Sequence, residues 1–151
     1  MKCGIDPGIF GAIAFLDDSN NFIKVVDMPV MTIGKSKHQV NAAELAKIID
    51  SCSGEGATAY LESVSAMPGQ GVTGVFSFGC SFGIVLGVLG ALKIPVVLVT
   101  PVSWKRRAGL IGKEKDMART LAIRLYPEAE LSRKKDIGRA DAICIARFSV
   151  V

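Results

Sequence analysis

The chain has 151 residues, half of them hydrophobic, so it is long enough to bury a core, and we expect residues 1–151 to form a single domain. Its net charge of +4 is uneven, because residues 101–151 hold 12 of the 18 basic residues but 6 of the 14 acidic ones. A basic half fits a polyanionic partner, although a solvated basic surface explains the charge equally well.

The cysteine and histidine content argues against a structural zinc site. The four cysteines lie far apart without a CxxC pair, and His38 is the only histidine. The apolar stretch 82–92 is shorter than the roughly 20 residues that cross a bilayer, and no signal segment precedes the first predicted strand. We therefore expect free thiols, no membrane partner and a soluble, intracellular protein.

The first half of the chain predicts strands joined by short connections, followed by a helix. Three strands over 2–6, 11–16 and 22–28 form an antiparallel meander. Polar, glycine-containing residues 31–39 predict a loop. Asn41 caps a helix with apolar residues at i, i+3, i+4 and i+7, and the strand 57–62 that follows runs parallel to a neighbour.

The second half alternates helices with one more buried strand. The predicted order is a glycine-rich loop over 65–74, a helix over about 75–93, a strand over 95–100, a short helix from Pro101, an amphipathic helix over 113–126 and a terminal helix over about 138–148. Five strands and their helices predict an α/β domain with a mixed sheet.

Three acidic residues lie beside predicted core segments. Asp6 and Glu62 each end an apolar strand, and Asp141 lies within an otherwise apolar helix. Adjacent strands would bring the first two together at one sheet edge, where the terminal helix could add the third. Such carboxylates are costly without positive charge, and two Mg²⁺ ions about 4 Å apart would supply it while clamping a phosphodiester. The order of these acids predicts a metal-dependent nuclease.

Each acid also has a simpler explanation. Asp6 precedes Pro-Gly and could form a turn, Glu62 could reach solvent from a strand end, and Asp141 could be partly exposed. Asp136 is a fourth candidate, because it could bend toward the site from the loop before the terminal helix. It could equally cap that helix or pair with an adjacent lysine.

Four segments of the chain, at 4–8 (GIDPG), 60–62 (YLE), 101–105 (PVSWK) and 134–142 (KKDIGRADA), resemble those of RuvC-like Holliday junction resolvases in the RNase H-like superfamily. The resemblance is closest to the plant chloroplast resolvases and related phage and bacterial proteins. It implies an RNase H-like α/β fold in which helices flank a mixed five-stranded sheet.

The same resemblance implies an activity and its partners. It predicts a homodimeric, Mg²⁺-dependent endonuclease, with Mn²⁺ as an alternative, that uses two ions per site to resolve four-way DNA junctions by paired nicks. It predicts no small-molecule cofactor. The expected location is the cytoplasm, or a bacterial host if the chain is phage-encoded; an organelle location would require a transit peptide outside this sequence.

The resemblance also assigns roles to individual residues. Asp6, Glu62 and Asp141 match the metal-binding carboxylates, Asp136 matches the fourth acid, and Lys115 matches a residue that contacts the substrate phosphate or water. Two departures stand out. Gly138 occupies a position where bacterial RuvC typically has an acid, and plant-like members often have Glu where this chain has Asp141.

Candidate DNA contacts lie around the glycine-rich loop and in the basic half. Gln70 could read a base edge, and Phe76 or Phe78 could wedge against an unpaired base, although both phenylalanines could instead belong to the core. The candidate phosphate contacts are Lys105, Arg106, Arg107, Lys113, Arg133, Lys134, Lys135 and Arg139. Most of these could be solvated surface residues, and Trp104 is predicted to be a packing anchor.

Glycines at 79, 83, 87 and 90 form a stripe on the helix after the loop, which could pack on the sheet or on a two-fold mate. Three further functions stay open: a broader flap or branched-DNA endonuclease, a catalytically inactive junction-binding protein, and an ATP-handling RNase H-like protein. The last lacks an expected second large domain.

Overall fold

A mixed five-stranded sheet covered by helices on both faces forms the centre of the computed structural model, which describes residues 1–63 and 65–149. The strands are β1 (Lys2–Asp6), β2 (Ala12–Leu16), β3 (Phe22–Asp27), β4 (Val30–Ile33), β5 (Lys37–Val40), β6 (Thr58–Glu62) and β7 (Val96–Val99). The helices are α1 (Ala42–Cys52), α2 (Val72–Ala91), α3 (Pro101–Arg107), α4 (Asp116–Leu125) and α5 (Ile137–Phe148), with a 3-10 turn over Lys134–Asp136.

The strand order β3-β2-β1-β6-β7 confirms the predicted sheet. Strands β1, β2 and β3 are antiparallel neighbours, whereas β1, β6 and β7 run parallel to one another. The short connections in the meander and the helical crossover before β6 account for this mixture.

The prediction of a loop over residues 31–39 is wrong. Strands β4 and β5 pair as an antiparallel hairpin from Val30 opposite Val40 to Ile33 opposite Lys37. Gly34 enters its turn at φ +63°, a conformation that glycine adopts readily. All four residues of β4 are exposed, so the alternation of buried and exposed side chains that marks a strand is missing.

Side chains in β1 and β6 alternate between the two faces of the sheet. Cys3 and Ile5 of β1, and Leu61 of β6, pack in the core beneath α1 and α2. A strand has a two-residue period, so Asp6 and Glu62 point to the opposite face, where α5 lies. Both acids therefore face the same helix.

Helix α5 lies directly against the backbone of β1 because Gly4 has no side chain. A Cβ atom at Gly4 would overlap the carbonyl oxygen of Ala142 and come within 2.8 Å of the Ala146 Cβ. Alanines on the facing side of α5 complete this close approach. Asp141 is adjacent to this contact and is thereby held over the edge of the sheet.

Helix α2 begins about three residues earlier than predicted, at Val72, and ends at Ala91. It continues for 20 residues, so the argument that no apolar segment has the length to cross a bilayer is wrong. By length and composition alone α2 qualifies as a membrane-spanning helix, and 22% of its most apolar window is buried. Its Val85 and Leu89 side chains are fully buried in the core under the sheet, which ties the helix to the domain.

Candidate active site

Asp6 lies at the carboxyl end of β1, where a tight turn follows. Its Oδ1 atom accepts a 3.5 Å hydrogen bond from the backbone amide of Gly8, and the Gly11 amide donates to the Gly8 carbonyl at 2.8 Å. A Cβ atom at Gly11 would overlap the Asp6 carbonyl oxygen. The Pro-Gly sequence therefore does form a turn, and the turn fixes the position of a half-buried carboxylate.

Glu62 occupies the neighbouring strand end and is held by a buried tryptophan. Ile5 lies opposite Leu61 in the parallel β1–β6 pair, which brings the next residue of β6 beside Asp6. The Trp104 indole Nε1 donates a 2.8 Å hydrogen bond to Glu62 Oε1, and the Trp104 side chain is completely buried. Trp104 is thus a packing anchor, as predicted, and also a hydrogen-bond donor to a candidate site residue 42 positions away.

Asp141 joins these two acids from α5. Burial, together with the charges of Asp6 and Glu62, raises the pKa of Asp141 to about 7. Burial and the Glu62 charge raise the pKa of Asp6 to about 7, and burial raises the pKa of Glu62. The Lys105 charge lowers the pKa of all three carboxyls, and Lys115 lowers that of Asp141. The three acids therefore affect one another's pKa values, and the charges of Lys105 and Lys115 act on them as well.

The chemistry of this acidic cluster (Asp6, Glu62 and Asp141) fits a hard divalent cation. Its donors are carboxylate oxygens, which Mg²⁺ prefers, and each pKa is raised in the absence of added positive charge. Among residues 1–63 and 65–149, however, no three His, Cys, Asp or Glu side chains form a group able to hold a metal ion. The acids form a charge cluster rather than a closed ligand cage.

The structure places Asp136 outside the acidic cluster. Its carboxylate receives a 2.7 Å ion pair from Arg133 Nη2 and a 2.8 Å hydrogen bond from the Arg133 backbone amide. These bonds lower the pKa of Asp136, whose side chain is 1% exposed. Its observed role is to anchor the turn before α5, which is close to the alternative of capping and pairing, with an arginine rather than a lysine as partner.

Three of the predicted DNA-contacting arginines hydrogen-bond to other residues of the protein. Arg139 pairs with Asp27 of β3 at 2.6 Å and donates to the Glu130 carbonyl, and Arg133 is held by Asp136. Arg107 donates to the Phe148 carbonyl at 3.3 Å. The other predicted phosphate contacts have exposed or half-buried side chains: Lys105, Arg106, Lys113, Lys134 and Lys135.

The predicted base contacts lie near the start of α2. Gln70 is exposed, and its Oε1 atom accepts a 2.8 Å hydrogen bond from the Met67 amide within the glycine-rich loop. The Phe76 ring is 64% exposed, so it does not belong to the core, and the Lys37 ammonium lies 5.6 Å from its centre. Phe78 is half-buried.

Two features near the acidic cluster were missed from the sequence. The β4–β5 hairpin brings Lys37 and His38 to the same side of the molecule as the start of α2. Phe10, in the turn after Asp6, is 88% exposed. Its position in a turn four residues after Asp6 is the sequence signal that could have identified Phe10.

Comparison with known proteins gives a relative by sequence, as well as solved structures with a similar fold. The chain is 35% identical over 94 residues to the chloroplastic Holliday junction resolvase MOC1 of Chlamydomonas reinhardtii, and the match spans 60% of this chain but 11% of that protein. No family model matches the chain.

Two solved structures share the fold. Thermus thermophilus RuvC in complex with a Holliday junction substrate gives a TM-score of 0.59 at 16% identity, covering 96% of this chain and 89% of that one. A second Thermus thermophilus RuvC structure gives 0.58 at 16% identity, covering 96% and 90%. The chain therefore has the RuvC fold, as predicted.

The raised pKa values of Asp6 and Asp141 predict a pH-dependent stability in the absence of metal. Between the unfolded pKa near 4 and the folded pKa of about 7, the folded state binds more protons, so its stability falls as pH rises. Chemical denaturation in EDTA should show the free energy of unfolding falling from about pH 5 to about pH 8. Asp6→Asn should reduce this slope, and Asp50→Asn, at an exposed position on α1, should leave it unchanged. A wild-type curve that is flat or rises would contradict the expectation.

The Trp104–Glu62 hydrogen bond predicts a second measurable effect. Trp104→Phe removes a donor that favours the charged carboxylate, so the pKa of Glu62 should rise further. Carboxyl NMR titration of metal-free protein measures this change. We expect a stability loss of about 1–3 kcal/mol as well, because a buried acceptor loses its partner. Tyr126→Phe, which removes a 2.9 Å hydrogen bond to the Asn20 carbonyl, should leave the Glu62 pKa unchanged.

Proposed function

We propose that this chain is a divalent-metal-dependent endonuclease that resolves four-way DNA junctions. The observation that carries the proposal is the acidic cluster, in which β1, β6 and α5 each contribute one carboxylate at the same edge of a RuvC-like sheet. Structural acids are normally compensated by protein partners, but these three repel one another. A partner of opposite charge from outside the chain is the natural compensation.

Asp6, Glu62 and Asp141 are the residues that would hold Mg²⁺, or Mn²⁺, in this proposal. Two bound ions would activate the attacking water and stabilise the departing 3′ oxygen of the phosphodiester. Trp104 keeps one Glu62 oxygen oriented and shields it from water, since the indole is fully buried. Lys105 and Lys115 place positive charge where an incoming phosphate approaches the acids.

The surface that would hold DNA is basic and mostly free of internal ion pairs. We infer that phosphates contact Lys105, Arg106, Lys113, Lys134 and Lys135, whereas Arg133 and Arg139 support this surface through their acidic partners. Binding of these side chains to DNA phosphates releases counterions from the DNA. The affinity for DNA should therefore fall steeply with ionic strength.

A four-way junction is the preferred substrate in this proposal because of what is known of the sequence relative and of a structure that shares the fold. The algal relative is named as a Holliday junction resolvase, and one RuvC structure was determined with a Holliday junction substrate. Their names favour a junction over a flap, and the acidic cluster favours a cutting enzyme over a binding protein alone.

Nicking of labelled DNA tests the activity. With Mg²⁺, the wild type should cut a mobile four-way junction faster than a Y-fork or a duplex, leaving 5′-phosphate and 3′-hydroxyl ends. Asp6→Asn and Asp141→Asn should each lose more than about a hundredfold in rate, because a ligand matters at least as much as its supporting residues. Asp50→Asn is the matched control and should cut normally.

Three results would count against this assignment. Tight junction binding without cutting by the wild type would leave a junction-binding protein. Equal cutting of forks and junctions would indicate a broader branched-DNA nuclease. Cutting that persists in Asp6→Asn would mean that the acidic cluster is not the catalytic site.

We also propose that the chain acts as a homodimer through the exposed face of α2. Gly79, Gly83, Gly87 and Gly90 are exposed, and a Cβ atom added at any of them would meet no atom within 4 Å. The stripe therefore does not pack on the sheet. Glycines in a helix cost stability, and close approach of a second helix would compensate for that cost. Two sites related by a two-fold axis suit paired nicks in one junction.

Substitution in this stripe tests the dimer. Gly83→Lys should convert a species of twice the 16.0 kDa chain mass into a monomer, measured by sedimentation, and should uncouple the two nicks. Gly54→Lys, at an exposed loop glycine with equal open space, adds the same charge and should leave the dimer intact. A wild-type monomer on junction DNA would contradict the proposal.

A further inference from the structure

The β4–β5 hairpin extends away from the body of the domain. All residues from 30 to 38 are exposed, on both strands and in the turn between them. Its base is anchored instead: Met28 and Val40 are buried, and the Asn41 amide donates a 2.8 Å hydrogen bond to the Pro29 carbonyl. The hairpin is therefore a two-stranded ribbon that is attached to the core at one end and exposed at the other.

The contacts of this ribbon do not explain its exposed apolar residues. A two-stranded hairpin is marginally stable in water unless a third strand or a helix packs on it. Strand β4 has no buried residue, and Val30, Met31 and Ile33 are between 38% and 45% exposed. Beyond its base, the ribbon meets α2 where the Lys37 ammonium lies 5.6 Å from the centre of the exposed Phe76 ring. Apolar side chains left in water along a ribbon fit a partner from outside the chain.

The charge of the hairpin fits a polyanionic partner. Residues 28–43 contain no Asp or Glu, whereas they contain Lys35, Lys37 and His38. Neither lysine forms an ion pair with any residue that the structure describes, and both are exposed. Their ammonium groups are therefore available to bind phosphates.

The base of the hairpin lies beside the candidate active site. Val30 and His38 line an open cavity that also reaches Asp6 and Lys134. From Val30 to the turn over residues 34–36 the strand rises about 13 Å, at about 3.3 Å per residue. That length corresponds to roughly four base pairs of duplex DNA. With a phosphodiester held at Asp6, the end of the ribbon would lie beside paired DNA and not at the phosphate that is cut.

We propose that the β4–β5 hairpin holds a duplex arm of the bound DNA, with Lys35 and Lys37 at phosphates of that arm. The inference rests on the proposed function and adds a contact outside the acidic cluster. A two-stranded ribbon has the width that fits the major groove. Contacts to phosphates carry no sequence information, so the hairpin raises the affinity for DNA with long arms without selecting the sequence that is cut.

Arm length tests the location of this contact. Binding is measured with Asp141→Asn, which should leave the DNA uncut, on four-way junctions with arms of about 15 base pairs or of about four base pairs closed by loops. Adding Lys35→Gln and Lys37→Gln should weaken binding about tenfold on the long arms and leave binding to the short arms unchanged. The matched control, Lys24→Gln with Lys47→Gln, removes two exposed lysines elsewhere and should bind both junctions as the parent does.

Salt dependence and cutting rates separate an arm contact from a catalytic role. The slope of log K against log salt should be shallower by about 2 for each hairpin whose two lysines contact DNA. With Asp141 intact, Lys35→Gln with Lys37→Gln should raise KM about tenfold on long arms and leave kcat unchanged, because the hairpin does not touch the reacting phosphate. The temperature of unfolding should not change, since both side chains are exposed.

The outcomes separate the hairpin contact from the nuclease proposal. If the hairpin variant binds long arms as tightly as the control, the lysines only keep an exposed strand from pairing with other chains, and the hairpin proposal is wrong. If the loss is equal on long and short arms, or lies in kcat, the contact is not to the arm and the proposal is again wrong. Both results leave the nuclease standing. An arm-length difference without any cutting by the wild type would keep the hairpin contact and overturn the nuclease, and no binding to long-armed junctions would overturn both.

Discussion

The contact between α5 and β1 is the constraint on which the candidate site depends. Gly4 lets the helix backbone lie against the strand, where any side chain would overlap the Ala142 carbonyl. Because strand side chains alternate, the same face of β1 that lacks a side chain at position 4 carries Asp6 two residues later. The geometry that lets α5 pack closely on β1 therefore also brings Asp6 near Asp141.

The acids of this protein fall into two electrostatic classes. Asp27 and Asp136 have arginine partners, and their pKa values are lowered chiefly by those hydrogen bonds. Asp6 and Asp141 have no such partner among the described residues, and burial beside other carboxylates raises their pKa values to about 7. An acid that lowers its own pKa through a protein partner stabilises the fold. Acids that are held close together with raised pKa values are typical of ligand-binding and catalytic sites.

The sequence predicted the sheet well because its signals are local. Alternation and short connections gave the meander, and the crossover before β6 put Glu62 beside Asp6. The β4–β5 hairpin was missed because its strands are largely exposed and carry no burial pattern. The Trp104–Glu62 bond joins residues 42 positions apart, and such a contact has no periodic signature. The sequence does not decide the role of Asp136, because capping, pairing and metal binding all use the same carboxylate.

Gly138 connects the helix that carries Asp141 to the turn that follows Asp6. An acid at this position would add a carboxylate one turn before Asp141, but its Cβ would overlap the Phe10 carbonyl. This chain therefore cannot gain a fourth acid there without moving the turn that follows Asp6. The absence of a side chain at 138 lets the turn that carries Phe10 lie against α5, and it leaves Asp6, Glu62 and Asp141 as the acidic cluster, with Lys105 as a positive charge near them. Helix α5 thus contributes Asp141 to the acidic cluster and, through Gly138, contacts the turn that carries Phe10.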